Sequence, residues 1–159
     1  MSDLPDAVRA FLAQKHIAVA GVSRAGNSPA NAILRKLRDT GHTVYAINPG
    51  ATEIEGGPCY AGLMSVPTTI DAVVAVTPPD ATLEIARACV TLGIRHLWMH
   101  QSFRRLGTSV SEEALRLCAE HNVSVIPGAC PMMFCEPVDI AHKCARWLLG
   151  ATGRMNGIS

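Results

Sequence analysis

The chain has 159 residues, of which 48% are hydrophobic and 17% are charged, and its formal net charge is +1. This length is typical of one domain with a sizeable core, and a charge so close to neutral argues against a nucleic-acid partner. No apolar run approaches the roughly 20 residues of a membrane span, and the N-terminus has no signal-peptide character. We therefore expect a soluble, cytoplasmic protein without a membrane partner.

Apolar periodicity and turn residues predict helices and strands in alternation. The first half of the chain is predicted to hold a helix over 6–14, a strand over 17–20, a helix from Pro29 to the stop at Gly41, a strand over 43–48, and a loop over 51–69 with one helical turn at Leu63-Met64. The second half is predicted to hold strands over 72–76, 94–99 and 123–126, and helices over 81–92, 111–121 and 137–150. Ser109, with Glu112 three residues later, has the spacing of a capping box for the 111–121 helix.

Five apolar strands separated by helices predict right-handed βαβ crossovers. The expected fold class is α/β, with a Rossmann-like, doubly wound, five-stranded parallel sheet, helices on both faces and the first strand central. Residues 1–150 would form a single domain, followed by a flexible tail over 151–159. In such a sheet, ligands bind beyond the carboxyl ends of the strands.

The first strand runs into a loop of small residues and then into a helix. The loop comprises Gly21, Val22, Ser23, Arg24, Ala25 and Gly26. Ser28 follows as a candidate N-cap, with Pro29 at the first helical position. Free N–H groups and the positive end of a helix dipole favour phosphate binding, so we interpret this segment as a diphosphate cradle.

The other four predicted strands also end in small, polar or proline-rich loops. These ends are Asn48-Pro49, Thr77-Pro78-Pro79, His100-Gln101-Ser102 and Gly128-Ala129-Cys130. Since the carboxyl ends of parallel strands share one edge of a sheet, this rim is predicted to carry the site.

The residue at the end of the second strand bears on the kind of nucleotide. The dinucleotide fingerprint G-x-G-x-x-G is not present, and Asn48 stands where NAD enzymes usually place an acid that binds the ribose hydroxyls. A neutral asparagine tolerates a phosphate that an aspartate would repel. This favours a ligand with a phosphorylated ribose, either coenzyme A or NADP, over NAD.

Neither a metal site nor a catalytic group is predicted. The six cysteines show no CxxC spacing, so reduced thiols that mostly fill the core are expected. The histidines, methionines and cysteines near the rim have no spacing that requires a metal, and no G-x-S-x-G elbow is present.

Five motifs in order carry a family resemblance. They are Ile17-Ala18-Val19-Ala20-Gly21-Val22-Ser23, Tyr45-Ala46-Ile47-Asn48-Pro49, Gly62-Leu63 before Ile70-Asp71, Leu97-Trp98-Met99-His100-Gln101, and Pro127-Gly128-Ala129-Cys130-Pro131. Through them, over roughly residues 17–132, the chain resembles the stand-alone CoA-binding domain proteins. These are similar to the N-terminal CoA-binding domain of the succinyl-CoA synthetase α subunit.

The resemblance implies a layout for coenzyme A. The diphosphate would lie on the loop 23–28, the adenosine between Asn48-Pro49 and Thr77-Pro78-Pro79, and the pantetheine arm toward His100-Gln101 and Cys130. Two features depart from the family. Ala51 stands where the synthetase domain has a lysine, and Val76-Thr77 lacks the arginine of many stand-alone relatives, which leaves Arg24 as the candidate for the 3′-phosphate. The synthetase's phosphorylated histidine lies in a further domain, so its chemistry does not transfer.

We therefore expect a protein that binds coenzyme A or an acyl-CoA, with catalysis of its own less favoured than plain ligand binding. The alternative is an NAD(P)-binding Rossmann oxidoreductase or redox-sensing domain. A third reading is an interaction domain that has kept the fold and lost the ligand. The acyl group, the oligomeric state and any partner protein are left open by the sequence.

Overall fold

The computed structural model of the chain describes residues 4–102, 107–138 and 140–151. Within these ranges the helices are α1 (Asp6–Leu12), α2 (Pro29–Asp39), α3 (Pro79–Leu92), α4 (Glu112–Glu120) and α5 (Ile140–Ala151). The strands are β1 (His16–Ala20), β2 (Thr43–Ile47), β3 (Glu53–Ile54), β4 (Gly57–Tyr60), β5 (Ala72–Ala75), β6 (His96–Met99) and β7 (Ser124–Pro127). Short 3₁₀ turns lie at Leu63–Ser65 and Pro131–Met133, the first of which confirms the helical turn predicted at Leu63-Met64.

The described residues form one seven-stranded sheet in the order β3-β4-β2-β1-β5-β6-β7. Its strands are parallel, except that β3 pairs antiparallel with β4. The prediction of five parallel strands was therefore wrong in number, while the central position of the first strand is confirmed. The two missed strands lie in the segment predicted as a loop. They have only 2 and 4 residues, and Gly57-Pro58 at the start of β4 is a sequence typical of a break or an edge strand.

Helices cover both faces of the sheet because the central strands are apolar on both sides. Ile17 and Val19 of β1 face a core that is shared with α1, α2 and Ala145 of α5 and that contains the fully buried Trp98. Ala18 and Ala20 face a second core built with α3 and α4. This alternation is the doubly wound arrangement that the continuous apolar strands predicted.

Three helix starts differ from the predictions. The N-cap of α4 is Ser111, whose hydroxyl accepts a hydrogen bond from the Ala114 N–H at 3.3 Å. The capping box predicted on Ser109 was therefore wrong, since the Ser109 hydroxyl accepts from the Thr77 N–H at 2.9 Å instead. Helix α3 begins two residues earlier than predicted, and α5 begins at Ile140 rather than near 137. Residue 151 belongs to α5, and the rest of the tail predicted to be flexible, 152–159, lies outside the described residues.

No helix in the part of the chain that the structure describes is both long and apolar enough to cross a membrane.

Candidate functional site

The site is organised around Gly21, at the point where β1 ends. Gly21 has φ +96°, and a Cβ at this position would lie 2.0 Å from the carbonyl oxygen of Val76. Real Cβ atoms essentially never approach another heavy atom so closely. The neighbouring strands meet here through a hydrogen bond from the Val76 N–H to the Ala20 carbonyl at 3.0 Å. Only glycine therefore lets the loop leave the sheet at this place.

The loop after Gly21 is held from beneath by Asn31, a fully buried polar residue on α2. Its Oδ1 accepts hydrogen bonds from the Ser23 N–H at 2.7 Å and from the Ser28 hydroxyl at 2.5 Å. Its Nδ2 donates to the Ser23 carbonyl at 2.8 Å and to the Glu55 carboxylate at 2.8 Å. Asn31 was not among the predicted site residues. The available signal was a single asparagine on the apolar face of an otherwise amphipathic helix.

These contacts change the expected roles of the two loop serines. Ser28 is the N-cap of α2, as predicted, since its hydroxyl accepts from the Asn31 N–H at 3.2 Å. Its hydroxyl proton is donated to Asn31, so in this conformation the Ser28 hydroxyl has no proton for a ligand. The Ser23 N–H is also occupied, while the Ser23 hydroxyl accepts from the Ala25 N–H at 3.2 Å. Gly26 closes the loop by donating its N–H to the Ser23 carbonyl at 3.2 Å.

Three N–H groups of the loop remain available for a ligand. Those of Arg24, Asn27 and Ser28 donate to no acceptor among the described residues. They precede the N-terminus of α2, an eleven-residue helix whose dipole adds positive potential at the same place. The arrangement therefore suits an anion, and a diphosphate in particular.

Asn48 ties the loop to the end of β2. Its Nδ2 donates to the Val22 carbonyl at 2.7 Å, and its Oδ1 accepts from the Gly50 N–H at 2.7 Å. Asn48, which is predicted to lie beside the adenosine, thus fixes the path of the loop.

Three clefts surround the loop along the rim. An apolar cleft of about 580 Å³ is lined by residues that include Gly21, Val22, Ile47, Asn48, Pro49, Leu63, Thr77 and Ile85. A second cleft, of about 560 Å³, lies beyond Thr77 and is lined by Pro29, Val76, Thr77, Pro78, Pro79, His100, Ser102, Gly107, Thr108 and Ser109. A third, of about 500 Å³, includes Arg24, Pro49, Ala51 and Cys59. The structure thus brings most of the predicted rim residues to adjoining clefts.

The far end of the rim holds a neutral histidine. His100 is only 5% exposed, and burial lowers its pKa to about 4, with a smaller contribution from nearby His142. Gln101 is exposed and donates its backbone N–H to the Ala129 carbonyl at 3.0 Å, while Cys130 is buried at the start of a 3₁₀ turn. His100 is therefore an uncharged hydrogen-bonding group at neutral pH.

Among the described residues, no group of three or more histidine, cysteine or acidic side chains is placed to hold a metal ion.

The structure defines a Rossmann-like, doubly wound α/β domain with a small-residue loop at its switch point, flanked by clefts. The particular family follows from comparison: residues 15–136 match the CoA binding domain family, and the chain belongs to that family. The resemblance seen in the sequence is confirmed.

The matched relatives are ligases that are much longer than this chain. The chain is 35% identical over 75 residues to acetate–CoA ligase [ADP-forming] I of Archaeoglobus fulgidus, covering 47% of the chain and 11% of that protein. It is 27% identical over 118 residues to acetate–CoA ligase [ADP-forming] of Methanocaldococcus jannaschii, covering 73% of the chain and 17% of the ligase. The chain therefore spans less than a fifth of the length of these relatives.

Solved structures show the same fold. A hypothetical protein from Pyrococcus horikoshii OT3 superimposes with a TM-score of 0.73 at 24% identity, covering 83% of this chain and 94% of that one. A dinucleotide forming acetyl-coenzyme A synthetase 1 from Ca. Korarchaeum cryptofilum, in complex with phosphate and ADP, gives a TM-score of 0.63 at 30% identity. That match covers 79% of this chain and 28% of the synthetase.

Proposed function

We propose that this protein binds coenzyme A or an acyl-CoA along the rim of the sheet, without a catalytic step of its own. The observation that carries the proposal is that the N–H groups of Arg24, Asn27 and Ser28, in the loop before α2, donate to no acceptor among the described residues. Membership of the CoA binding domain family supports coenzyme A as the ligand. The diphosphate would lie on these groups.

The apolar cleft beside β2 suits the adenine ring. Ile47, Leu63 and Ile85 supply apolar surface, and the rigid ring of Pro49 also lines the cleft. An aromatic base is mostly apolar on its faces, so its burial in this cleft is favourable.

The 3′-phosphate is assigned to Arg24. This exposed arginine lines the third cleft together with Ala51, where the synthetase domain has a lysine. Arginine recognises phosphate through two parallel N–H donors, so Arg24 can take over the role of the absent lysine.

The cleft beyond Thr77 suits the pantetheine arm. It combines the apolar rings of Pro78 and Pro79 with the hydroxyl groups of Thr108 and Ser109 and with neutral His100. A pantetheine chain alternates methylene and amide groups, which match such a mixed lining.

The proposal is tested by calorimetric titration with coenzyme A, dephospho-CoA, NAD⁺ and NADP⁺. We expect coenzyme A to bind most tightly. Arg24→Gln should weaken coenzyme A binding about fivefold, roughly 1 kcal/mol for an exposed charged hydrogen bond, with a smaller effect on dephospho-CoA. Arg116→Gln on α4 changes the net charge equally and should have no effect.

Binding of a nicotinamide cofactor in place of coenzyme A would favour the NAD(P)-linked alternative. If none of the four ligands bound, the chain would be better described as an interaction domain with this fold.

A further inference from the structure

We infer that Asn31 is a positioning residue for the diphosphate loop and that Glu55, on the β3–β4 turn, holds its amide in place. The inference rests on the proposed function. It extends the site to Glu55, at the turn of the β3–β4 hairpin.

Asn31 acts through the loop because its side chain has no capacity left for a ligand. An asparagine amide offers two donor hydrogens and two acceptor lone pairs. Both lone pairs are used by Ser23 and Ser28, and both hydrogens by Ser23 and Glu55. The residue is also fully buried.

The bond to the Ser23 carbonyl determines where the next N–H points. The carbonyl of Ser23 and the N–H of Arg24 belong to one trans peptide unit, so they point in opposite directions. Because Asn31 holds that carbonyl toward itself, the Arg24 N–H is directed away from Asn31 and from the core. This is one of the three groups assigned to the diphosphate.

Glu55 accepts a hydrogen bond from Asn31 Nδ2 and so reinforces the amide orientation that the Ser23 N–H and carbonyl also require. A carboxylate can only accept hydrogen bonds, so it requires the NH₂ end of the amide to face it. Glu55 is itself fixed: its side chain is 16% exposed, and Arg35 donates to its carboxylate at 2.7 Å. Arg38 donates to its backbone carbonyl at 2.8 Å. Without this acceptor, one Nδ2 hydrogen of the buried amide would lose its hydrogen bond, and the hold of Asn31 on the Ser23 carbonyl would loosen.

For Glu55→Ala, the loss of a negative charge and the loss of positioning predict opposite changes in the affinity for coenzyme A. Both Glu55→Ala and Glu55→Gln remove a negative charge near the loop, which alone should strengthen the binding of an anion. Only glutamine keeps an oxygen that can accept from Asn31. Positioning therefore predicts that Glu55→Ala weakens binding of coenzyme A, while Glu55→Gln does not.

The experiment compares wild type, Glu55→Ala and Glu55→Gln by titration with coenzyme A, ADP and adenosine, with folding checked by amide spectra. We expect Glu55→Ala to lose at least fivefold in affinity for coenzyme A and ADP relative to Glu55→Gln, and to bind adenosine as the wild type does. The Arg24 amide resonance of the free protein should move in Glu55→Ala and stay in place in Glu55→Gln.

If Glu55→Ala binds coenzyme A as tightly as Glu55→Gln, the positioning inference is overturned while the proposed function stands. Equal losses for adenosine and ADP would indicate a general structural defect and would also overturn it. A wild type that binds no coenzyme A removes the proposed function and this inference with it.

Discussion

Replacing Gly21 by alanine should be far more damaging than the same change at Gly41, although the two glycines share a backbone conformation. Their φ angles are +96° and +92°, so the strain of placing alanine there is similar, about 1–2 kcal/mol. At Gly41 nothing lies within 4 Å of a new Cβ. At Gly21 the Cβ would be 2.0 Å from the Val76 carbonyl oxygen, so the ends of β1 and β5 must separate by about 1 Å.

That separation disturbs the hydrogen bond from Val76 to Ala20 and the packing of two central strands. Overpacking of this kind adds about 1–3 kcal/mol, and the weakened hydrogen bond adds about 1 kcal/mol. We expect Gly41→Ala to lower the free energy of unfolding by about 1–2 kcal/mol and Gly21→Ala by about 3–6 kcal/mol.

Urea unfolding followed by the fluorescence of buried Trp98 measures both values. If the two variants lose the same free energy of unfolding to within about 0.5 kcal/mol, the close approach of Gly21 to β5 is not the reason that this position requires glycine.

Three further changes follow from burial and capping. His100 is neutral in the folded protein down to about pH 4, whereas below pH 6.5 it takes up a proton on unfolding. The free energy of unfolding should therefore fall as the pH is lowered from 6.5 toward 4. The fall should be on the order of 3 kcal/mol and largely absent in His100→Gln. Iodoacetamide should label exposed Cys144 in the folded protein well before Cys89, whose pKa burial raises to about 12. Ser111→Ala should lower stability by about 1 kcal/mol and leave coenzyme A binding unchanged, because its hydroxyl caps α4 through Ala114.

Each of these results can fail independently. An equally steep acid transition in His100→Gln would show that other groups control it. If Cys89 were labelled as fast as Cys144, the burial of the Cys89 side chain on α3 would be contradicted. A stability change near zero for Ser111→Ala would contradict its assignment as the N-cap of α4.

The alternation of apolar strands with helices was sufficient to predict the doubly wound core. Continuous apolar runs such as 72–76 can be buried on both faces only within a parallel sheet covered by helices. The hairpin of β3 and β4 could not be predicted in the same way. Its strands are too short for a period to show, and Pro58 is typical of a break.

The candidate site was predictable where local sequence determines local geometry. Gly21 and the N-cap Ser28 belong to this class, since a strand, a small-residue loop and a helix start are adjacent in the chain. The contacts of Asn31 were not predictable, because Glu55 lies 24 residues away on a hairpin that the sequence pattern did not indicate. The cap of α4 was misassigned to Ser109 for a related reason, since its long-range partner Thr77 was not visible in the local pattern.

Binding of the coenzyme A diphosphate by the loop before α2 is tested most directly by an amide chemical-shift titration of the ¹⁵N-labelled protein with coenzyme A. We expect the largest chemical-shift changes, which should saturate with coenzyme A, on the amides of Arg24, Asn27 and Ser28. Changes confined to the opposite edge of the sheet, near His16 and Asp71, or no saturable change at all, would contradict it.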